Sequence, residues 1–411
     1  MNIWLIQTGE PLPLESTIKK MRTAILADKL LERGHNVVWW VSAFDHFQKR
    51  WLFDKETELK LKENLTIKVL KGIGYVRNIS LRRFIDHRII AKRFKRIAPK
   101  ISKPDIIIAS MPPHDLAFEA VMFARNNNIP VLVDIRDPWP DIFLNHMPRK
   151  LHFLMKKLFY RDFRMVNQTM QKTNGLIAVT NTFLEWGLQY AKRKKFQTDK
   201  VFYLGGQRII DIQSKSSMIS ELVDRLTNKF VITFVGTFAH YHNPSILVDC
   251  AVKMQNSNVV FVLAGDGEFF SEIKSKISSL NNIFLTGRLD QTEIDALLRF
   301  SSVGVCPTTQ NIDLFPNKAF TYLSAGLPII SAFQGDLKDI IEKYQIGVYY
   351  PPCDVDALVN CINRLYEDRF LYKRMSENAH RFFDEMCDAD KIYDEYAKHI
   401  EMVANDYKQK I

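Results

Sequence analysis

Two doubly wound α/β domains in tandem are the fold this sequence predicts. Three observations carry the prediction. The 411 residues exceed one ordinary core and suit two domains of roughly 200 residues each. Short runs that are apolar throughout alternate with amphipathic segments, as in a parallel sheet covered by helices on both faces. The alternation breaks once, near residue 205, and then restarts.

The first element, "NIWLIQ" (2–7), reads as a strand. "IKKMRTAILADKLLERG" (18–34) reads as an amphipathic helix stopped by Gly34, and "HNVVWWVS" (35–42) as the next strand. "PDIIIAS" (104–110), "IPVLVDI" (129–135) and "GLIAVT" (175–180) read as buried strands with helices between them. "YLGGQRIIDIQSKSS" (203–217) has paired glycines and a polar tail. It marks a linker over 205–217 between a first domain (1–204) and a second (218–385). The second half supplies strands "FVITFVG" (230–236), "VVFVLAG" (259–265), "IFLTG" (283–287), "VGVCP" (303–307), "PIISA" (328–332) and "GVYY" (347–350). Beyond Asp354 the pattern is almost wholly helical, and residues 386–411 are predicted to form a helix that crosses back to the first domain. Sheets of this kind bind ligands at the carboxyl ends of their strands, so the expected site is a cleft between the domains.

Composition narrows the class. The chain is 46% hydrophobic and 25% charged, as in soluble globular proteins. "MNIWLIQTGEPLP" has no basic region before its short apolar run, so no signal peptide is predicted. No segment has the ~20 apolar residues of a membrane span. The five cysteines (250, 306, 353, 361, 387) are scattered without C-x-x-C, which predicts a reducing, cytoplasmic setting without disulfides or zinc. The net charge of +11 points to an anionic partner. Ten Lys/Arg and one acid lie between Arg77 and Lys103, with Leu81, Phe84, Ile85, Ile89 and Phe94 at helical spacing. "RKLHFLMKKLFYRDFRM" (149–165) repeats the recipe. Such segments either lie against an anionic membrane surface or turn their apolar side to the core.

The stretch "DLFPNKAFTYLSAGLPII" (313–330) carries the chemistry. Pro316 suits a first helical turn. The backbone N–H groups of Asn317, Lys318 and Ala319 would then point outward unpaired beside the Lys318 charge, which makes an anion site. Asp313 could accept hydrogen bonds from sugar hydroxyls. A phosphate and a polyol together suggest a sugar nucleotide; an ordinary capped helix with a solvated lysine is the bland alternative.

This stretch resembles the donor-binding signature of the GT-B-fold retaining glycosyltransferases of family four. Asp313 matches the first acid of an acid–seven residues–glutamate pattern, and "YLSAGLP" (322–328) matches the family's alanine- and glycine-containing tail after the glutamate. Thr321 stands where the pattern has its glutamate, which is expected to face the nucleotide ribose. "FVGTFAHYHNP" (234–244) resembles the family's first glycine loop over the diphosphate, but His240, His242 and Asn243 occupy the neighbourhood where the family commonly has an Arg and a Lys. "LAGDGE" (263–268) and "LTGRLDQTEIDALL" (285–298) fall where the family places a second turn and the base pocket. The resemblance implies a GT-B fold with a donor site of Gly236, Thr237, His240, Asn243, Gly265, Arg288, Pro316, Asn317, Ala319, Phe320 and Thr321. Asp313 and Lys318 would act on the sugar and diphosphate.

In the first domain the resemblance is looser. "QTGEP" (7–11) follows the first strand, so Gly9 and Glu10 are expected near the acceptor. "SMPPHD" (110–115) and "DIRDPWPD" (134–141) follow later strands on the same face. Arg136 and Asp137 stand where many members carry a histidine, and Asp137 and His114 are the candidate polar contacts to the attacking hydroxyl. "DVD" (354–356) opens a helix, so an N-cap explains it and no metal is expected. "GIGYVR" (72–77) lacks the rest of a dinucleotide fingerprint and reads as a turn. The whole implies a nucleotide-diphosphate sugar donor, a glycan or lipid-linked glycan acceptor, an anionic membrane partner, no other cofactor and no nucleic acid. A non-hydrolysing sugar-nucleotide epimerase and a non-catalytic sugar-nucleotide-binding protein are the rivals.

Overall fold

The computed structural model describes residues 1–14, 20–146, 148–209 and 216–409. Residues 18–19 of the expected first helix and 210–215 of the expected linker lie outside them. The chain divides into two compact units, Met1–Tyr203 with Tyr393–Ile411, and Leu204–Ile392.

The first unit is built on strands β1 (Asn2–Ile6), β2 (Asn36–Ser42), β3 (Phe44–Asp45), β4 (Arg50–Trp51), β5 (Thr57–Lys62), β6 (Leu65–Leu70), β7 (Ile106–Met111), β8 (Val131–Ile135), β9 (Gly175–Ala178) and β10 (Lys200–Val201). β3 and β4 form a separate hairpin. The others make one sheet in the order β10-β9-β8-β7-β1-β2-β6-β5, parallel throughout except that β5 runs against β6. β1 pairs with both β2 and β7, so the direction of sheet growth reverses there. Helices α1 (Arg22–Glu32), α2 (Leu81–Ile97), α3 (His114–Asn126), α4 (His152–Leu158), α5 (Tyr160–Lys172) and α6 (Asn181–Ala191) fill the connections. Trp4, Trp40 and Phe94 meet in the core, with ring centres 5.2 Å apart for the tryptophans and 4.8 Å for Trp40–Phe94.

The strand pair at 57–70 is absent from the apolar pattern. β5 is "TELKLK", with its charged side chains exposed, at the end of the sheet. An edge strand covered on one face needs no continuous apolar run, and its lysines discourage pairing with another chain. The turn at 72–77 has a specific job. A Cβ on Gly72 would fall 2.0 Å from Asp86 Oδ1, the oxygen that accepts from Ile73 and Gly74 N–H at 2.6 and 2.8 Å.

The second unit contains α7 (Ser217–Leu226), β11 (Phe230–Val235), α8 (Ser245–Lys253), β12 (Val259–Ala264), α9 (Phe270–Lys276), β13 (Ile283–Gly287), α10 (Gln291–Arg299), β14 (Val303–Cys306), α11 (Asn317–Ser324), β15 (Ile329–Ser331), α12 (Asp336–Tyr344), β16 (Gly347–Tyr349), α13 (Val355–Glu367) and α14 (Arg369–Phe382). Its sheet is wholly parallel, in the order β13-β12-β11-β14-β15-β16. Successive residues of β11 alternate between two apolar layers: Phe230, Ile232 and Phe234 join one, Val231 the other. That two-sided burial is why its sequence is apolar throughout. Asp354 accepts from Ala357 N–H at 2.9 Å and so caps α13.

The last helix, α15 (Ala389–Lys408), contributes its residues from Tyr393 onward to the first unit. There Tyr396 stacks on Phe202 at 4.6 Å. Arg33 pairs with Glu401 through Nε and an Nη at 2.9 and 2.7 Å, and with Asp394 at 3.1 Å.

Candidate functional site

In the second unit two loops leave adjacent strands and close on each other. Gly236 N–H donates to the Ala264 carbonyl and Phe238 N–H to the Asp266 carbonyl, both at 2.9 Å. Gly236, Gly265 and Gly267 have φ of 151°, 153° and 150°. Those angles disfavour side chains, and at Gly265 and Gly267 space forbids them too. A Cβ on Gly265 would lie 1.9 Å from the Gly236 carbonyl oxygen, and one on Gly267 would lie 2.7 Å from that of Phe238.

Lys318 reaches this crossing from α11. Its Nζ sits 3.8 Å from the centre of the Phe234 ring, beside Gly236, buried and without a hydrogen-bond partner. Burial lowers the ammonium pKa from its ordinary 10.5 to about 8. A buried charge normally comes with a counter-ion. Ala319 N–H bonds back to the Pro316 carbonyl at 3.0 Å. That tight first turn removes one of the three expected free donors and leaves those of Asn317 and Lys318.

The remaining donor-side candidates divide. Thr237 and His240 are exposed on the loop, and the His240 carbonyl accepts from Thr309 Oγ1 at 3.0 Å. His242 packs on Phe333 at 5.5 Å; burial and the nearby Lys318 charge lower its pKa to about 4. Asn243 Oδ1 accepts from Ser245 N–H and Oγ at 2.9 and 2.6 Å, which turns its amide toward the start of α8. Asp313 lies against the start of α12: a Cβ on Gly335 would fall 1.7 Å from its Oδ1. Arg288 is exposed after β13. Ala319 and Phe320 are buried, and Phe320 stacks on Phe315 at 4.3 Å, so neither side chain presents itself to a ligand. Thr321 Oγ1 donates to the Asn317 carbonyl one turn back at 3.4 Å. Tyr322 cannot replace it at a ribose. Its hydroxyl accepts from Val235 N–H at 2.8 Å and donates to the Val305 carbonyl at 3.3 Å.

In the first unit, several acceptor-side candidates are committed elsewhere. Gly9 N–H donates to Gln7 Oε1 at 2.8 Å. Glu10 accepts from Thr23 N–H at 2.8 Å and pairs with Arg136. Arg136 also bonds Asp134 at 3.0 Å and Thr23 Oγ1 at 2.9 Å, while Arg22 takes both Asp134 oxygens at 3.0 Å. These residues brace the start of α1 to β8. His114 is fully buried, with Nε2 2.8 Å from Asp162 Oδ1 and Trp139 and Phe84 nearby. This corrects the expectation of contact with a hydroxyl, because the ring is packed away from solvent. His114, Asp115 and Asp162 together could hold a cation. The Arg88 guanidinium already lies 3.7 Å from Asp115 and 3.4 Å from Asp162.

Asp137 is different. It is half-buried, its carboxyl makes no hydrogen bond among the described residues, and burial raises its pKa to about 6. Of the acidic first-unit candidates, it alone keeps its carboxyl uncommitted.

Of the two basic, apolar segments, α2 buries Phe84 and Phe94 but exposes Leu81 and Ile85. α4 has no buried residue at all. Phe153 is 80% exposed, Leu158 72% and Leu154 61%, beside exposed Lys156 and Lys157.

Residues 221–382 match the model of the glycosyl transferases group 1. The O-antigen chain mannosyltransferase C of Escherichia coli is 28% identical over 206 residues, which cover 49% of this chain and 54% of that protein. The chain spans about half the length of the curated relatives it matches. Among solved structures, Anabaena HepE in complex with UDP superposes with a TM-score of 0.67 at 18% identity, covering 98% of this chain and 99% of that one. Sucrose-phosphate synthase from Thermosynechococcus elongatus gives 0.73 at 13% identity with the same coverage. These structural likenesses establish a shared fold.

Proposed function

Because residues 221–382 match the glycosyl transferases group 1 and the chain has the two Rossmann-like sheets of the GT-B fold, we propose that it is a glycosyltransferase of that group, which moves a sugar from a nucleotide-diphosphate donor to an acceptor. The observation that carries the reading is Lys318, a buried ammonium without a partner beside the Gly236 loop and the start of α11. A diphosphate placed there meets that charge and the free N–H groups of Asn317 and Lys318. In the reaction the bond from the sugar's anomeric carbon to the diphosphate oxygen breaks. The acceptor oxygen bonds that carbon, and its proton passes to the leaving diphosphate. Fixed donors that stabilise the departing charge supply the catalysis. With the diphosphate as base, no strong protein base is required, and the anomeric configuration is retained. Asp137 orients the acceptor hydroxyl, and Asp313 binds the donor sugar.

The acceptor in this reading is a lipid-linked or membrane-associated glycan of surface polysaccharide. The mannosyltransferase relative and the exposed α4 surface support it. Lys156 and Lys157 meet anionic headgroups while Phe153, Leu154 and Leu158 enter the lipid. The enzyme then works from the cytoplasm on the inner face of the membrane. A second reading, a sugar-nucleotide sensor without turnover, is favoured by Thr321, whose hydroxyl is turned to its own helix. The deciding experiment is calorimetry against a panel of nucleoside diphosphates, followed by mass spectrometry of products formed from sugar nucleotides on lipid extracts. Binding with product formation supports transfer, binding without release of diphosphate supports the sensor, and no binding sinks both.

A further inference from the structure

At the carboxyl ends of the first-unit strands, basic side chains gather on aromatic faces, and the transfer reading uses none of them. Arg83 of α2 lays its guanidinium 4.5 Å from the Trp139 ring centre and 5.4 Å from that of Tyr75. Lys49, on the β3–β4 hairpin, holds its ammonium 4.9 Å from the Tyr75 ring centre. His46 Nδ1 is 2.7 Å from the Tyr75 hydroxyl. His87, one turn along α2 from Arg83, packs 5.6 Å from Trp139 and 6.2 Å from Tyr75. Hairpin and helix thus bring four basic side chains around one tyrosine.

The donors there are only partly satisfied. Arg83 Nε and His87 Nδ1 are buried without a hydrogen-bond partner, and His87 is 4% exposed overall. Arg83 gives other N–H groups to the Asn78 carbonyl at 2.9 Å and to the Tyr75 hydroxyl, and the Lys49 ammonium bonds Asn78 Oδ1, the His46 carbonyl and, at 3.4 Å, His46 Nδ1, so the unmet donors are those of Arg83 and His87. Two of the three neighbouring carboxylates are held by backbone. Asp45 accepts from Phe47 and Gln48 N–H at 2.7 and 2.9 Å, and Asp86 holds the Ile73–Gly74 turn. Only Asp137 stays uncommitted, and the Arg83 charge acts on it. Burial and the Arg83 charge lower the pKa of both Lys49 and His46, the latter to about 4. A ligand that reaches this cluster can supply acceptors for donors that the protein leaves unpaired.

We propose that Lys49 and Arg83, over the faces of Tyr75 and Trp139, bind an anionic phosphate or diphosphate group carried by the acceptor. This rests on the transfer reading and names the chemistry of its acceptor. Phosphate oxygens suit the forked donors of arginine and the point charge of lysine. Half-buried Phe143, with its ring centre 4.7 Å from that of Trp139, extends an apolar wall for the carbon chain or ring beside the phosphate.

The probes are geranyl diphosphate, geraniol and vesicles of anionic phospholipid, with nucleoside-diphosphate binding as the control. The wild type is expected to bind geranyl diphosphate about tenfold tighter than geraniol. Lys49→Gln and Arg83→Gln should each lose about fivefold or more, Arg83→Lys less, while vesicle binding stays unchanged. Lys49→Gln leaves the Arg83–Trp139 packing intact, so it keeps the test open should Arg83→Gln not fold. Equal affinity for the two geranyl compounds overturns the proposal. So does a loss confined to vesicle binding, which would make the phosphate a lipid headgroup's rather than the acceptor's. If the control fails as well, the transfer reading falls; if only the geranyl arm fails, this inference falls alone.

Discussion

Replacing Lys318 by methionine should stabilise the free protein and abolish nucleoside-diphosphate binding. Burial lowers the ammonium pKa from 10.5 to about 8. That drop corresponds to about 3 kcal/mol for holding the charge out of water, at ~1.4 kcal/mol per pKa unit. The contact with the Phe234 face returns about 1 kcal/mol. Methionine fills similar space without the charge, so the net gain is about 2 kcal/mol at pH 7. In a unit of this size that raises the melting temperature by roughly 4–8 °C. The pH dependence supplies an internal check. Between pH 8 and 10.5 the unfolded chain keeps a proton that the folded protein has shed, so the lysine protein gains stability as pH rises. The advantage of the variant is therefore full below pH 8 and shrinks above it. Thermal melts of both proteins at pH 7 and pH 10, with calorimetry of nucleoside-diphosphate binding, measure the two effects. A variant that melts at or below the wild type at pH 7, or that keeps its affinity, would refute the argument.

Gly265→Ala should destabilise the second unit by roughly 2 kcal/mol or more and remove donor binding, because its Cβ would fall 1.9 Å from the Gly236 carbonyl oxygen. Chemical denaturation and the same calorimetry test it. Thr321→Glu should tighten donor binding about fivefold by offering the ribose a charged acceptor worth roughly 1 kcal/mol more than a hydroxyl; unchanged affinity would mean residue 321 does not face the nucleotide. Arg33→Ala should loosen α15 by about 1 kcal/mol at most, given partial exposure and screening, read as faster proteolysis within 389–408. Arg33 lowers the Glu401 pKa below 4.5, so this contribution is complete above that pH and fades as pH falls through the lowered value. The triple variant Phe153→Ser, Leu154→Ser, Leu158→Ser should lose sedimentation with anionic vesicles by tenfold or more, since each buried apolar side chain contributes about 1.5–3 kcal/mol. Sedimentation unchanged from the wild type would free α4 from any membrane role.

The strands that proved easiest to predict were those covered on both faces. β7 and β12 are buried at every position, so apart from Ser110 their residues are apolar and the run is visible without a partner. Lys318 was legible for a similar local reason: Pro316 marks where a helix begins, and the first N–H groups of any helix lack partners. The edge pair β5–β6 was hidden because one-sided burial leaves charge in the pattern. Long-range packing decided the rest. His114 was chosen as a polar residue after a strand. Its fate depended on Asp162, 48 residues away, which holds its ring in the core. Arg83 and His87 lay within a run of ten basic residues that resembles a solvated face. A charge run records how many cations a segment carries but not which way each points. That direction is set where α2 meets Tyr75 and Trp139, since one helix shows solvent and protein to different residues of the same run. The sequence alone determined the order along the chain of the strands covered on both faces, the helix start at Asn317 beside Lys318, and Gly236 and Gly265 as residues of the loop crossing. Tertiary structure decided which acids stay free, which histidines are buried and where the basic cluster forms, because each depends on partners brought together only by folding.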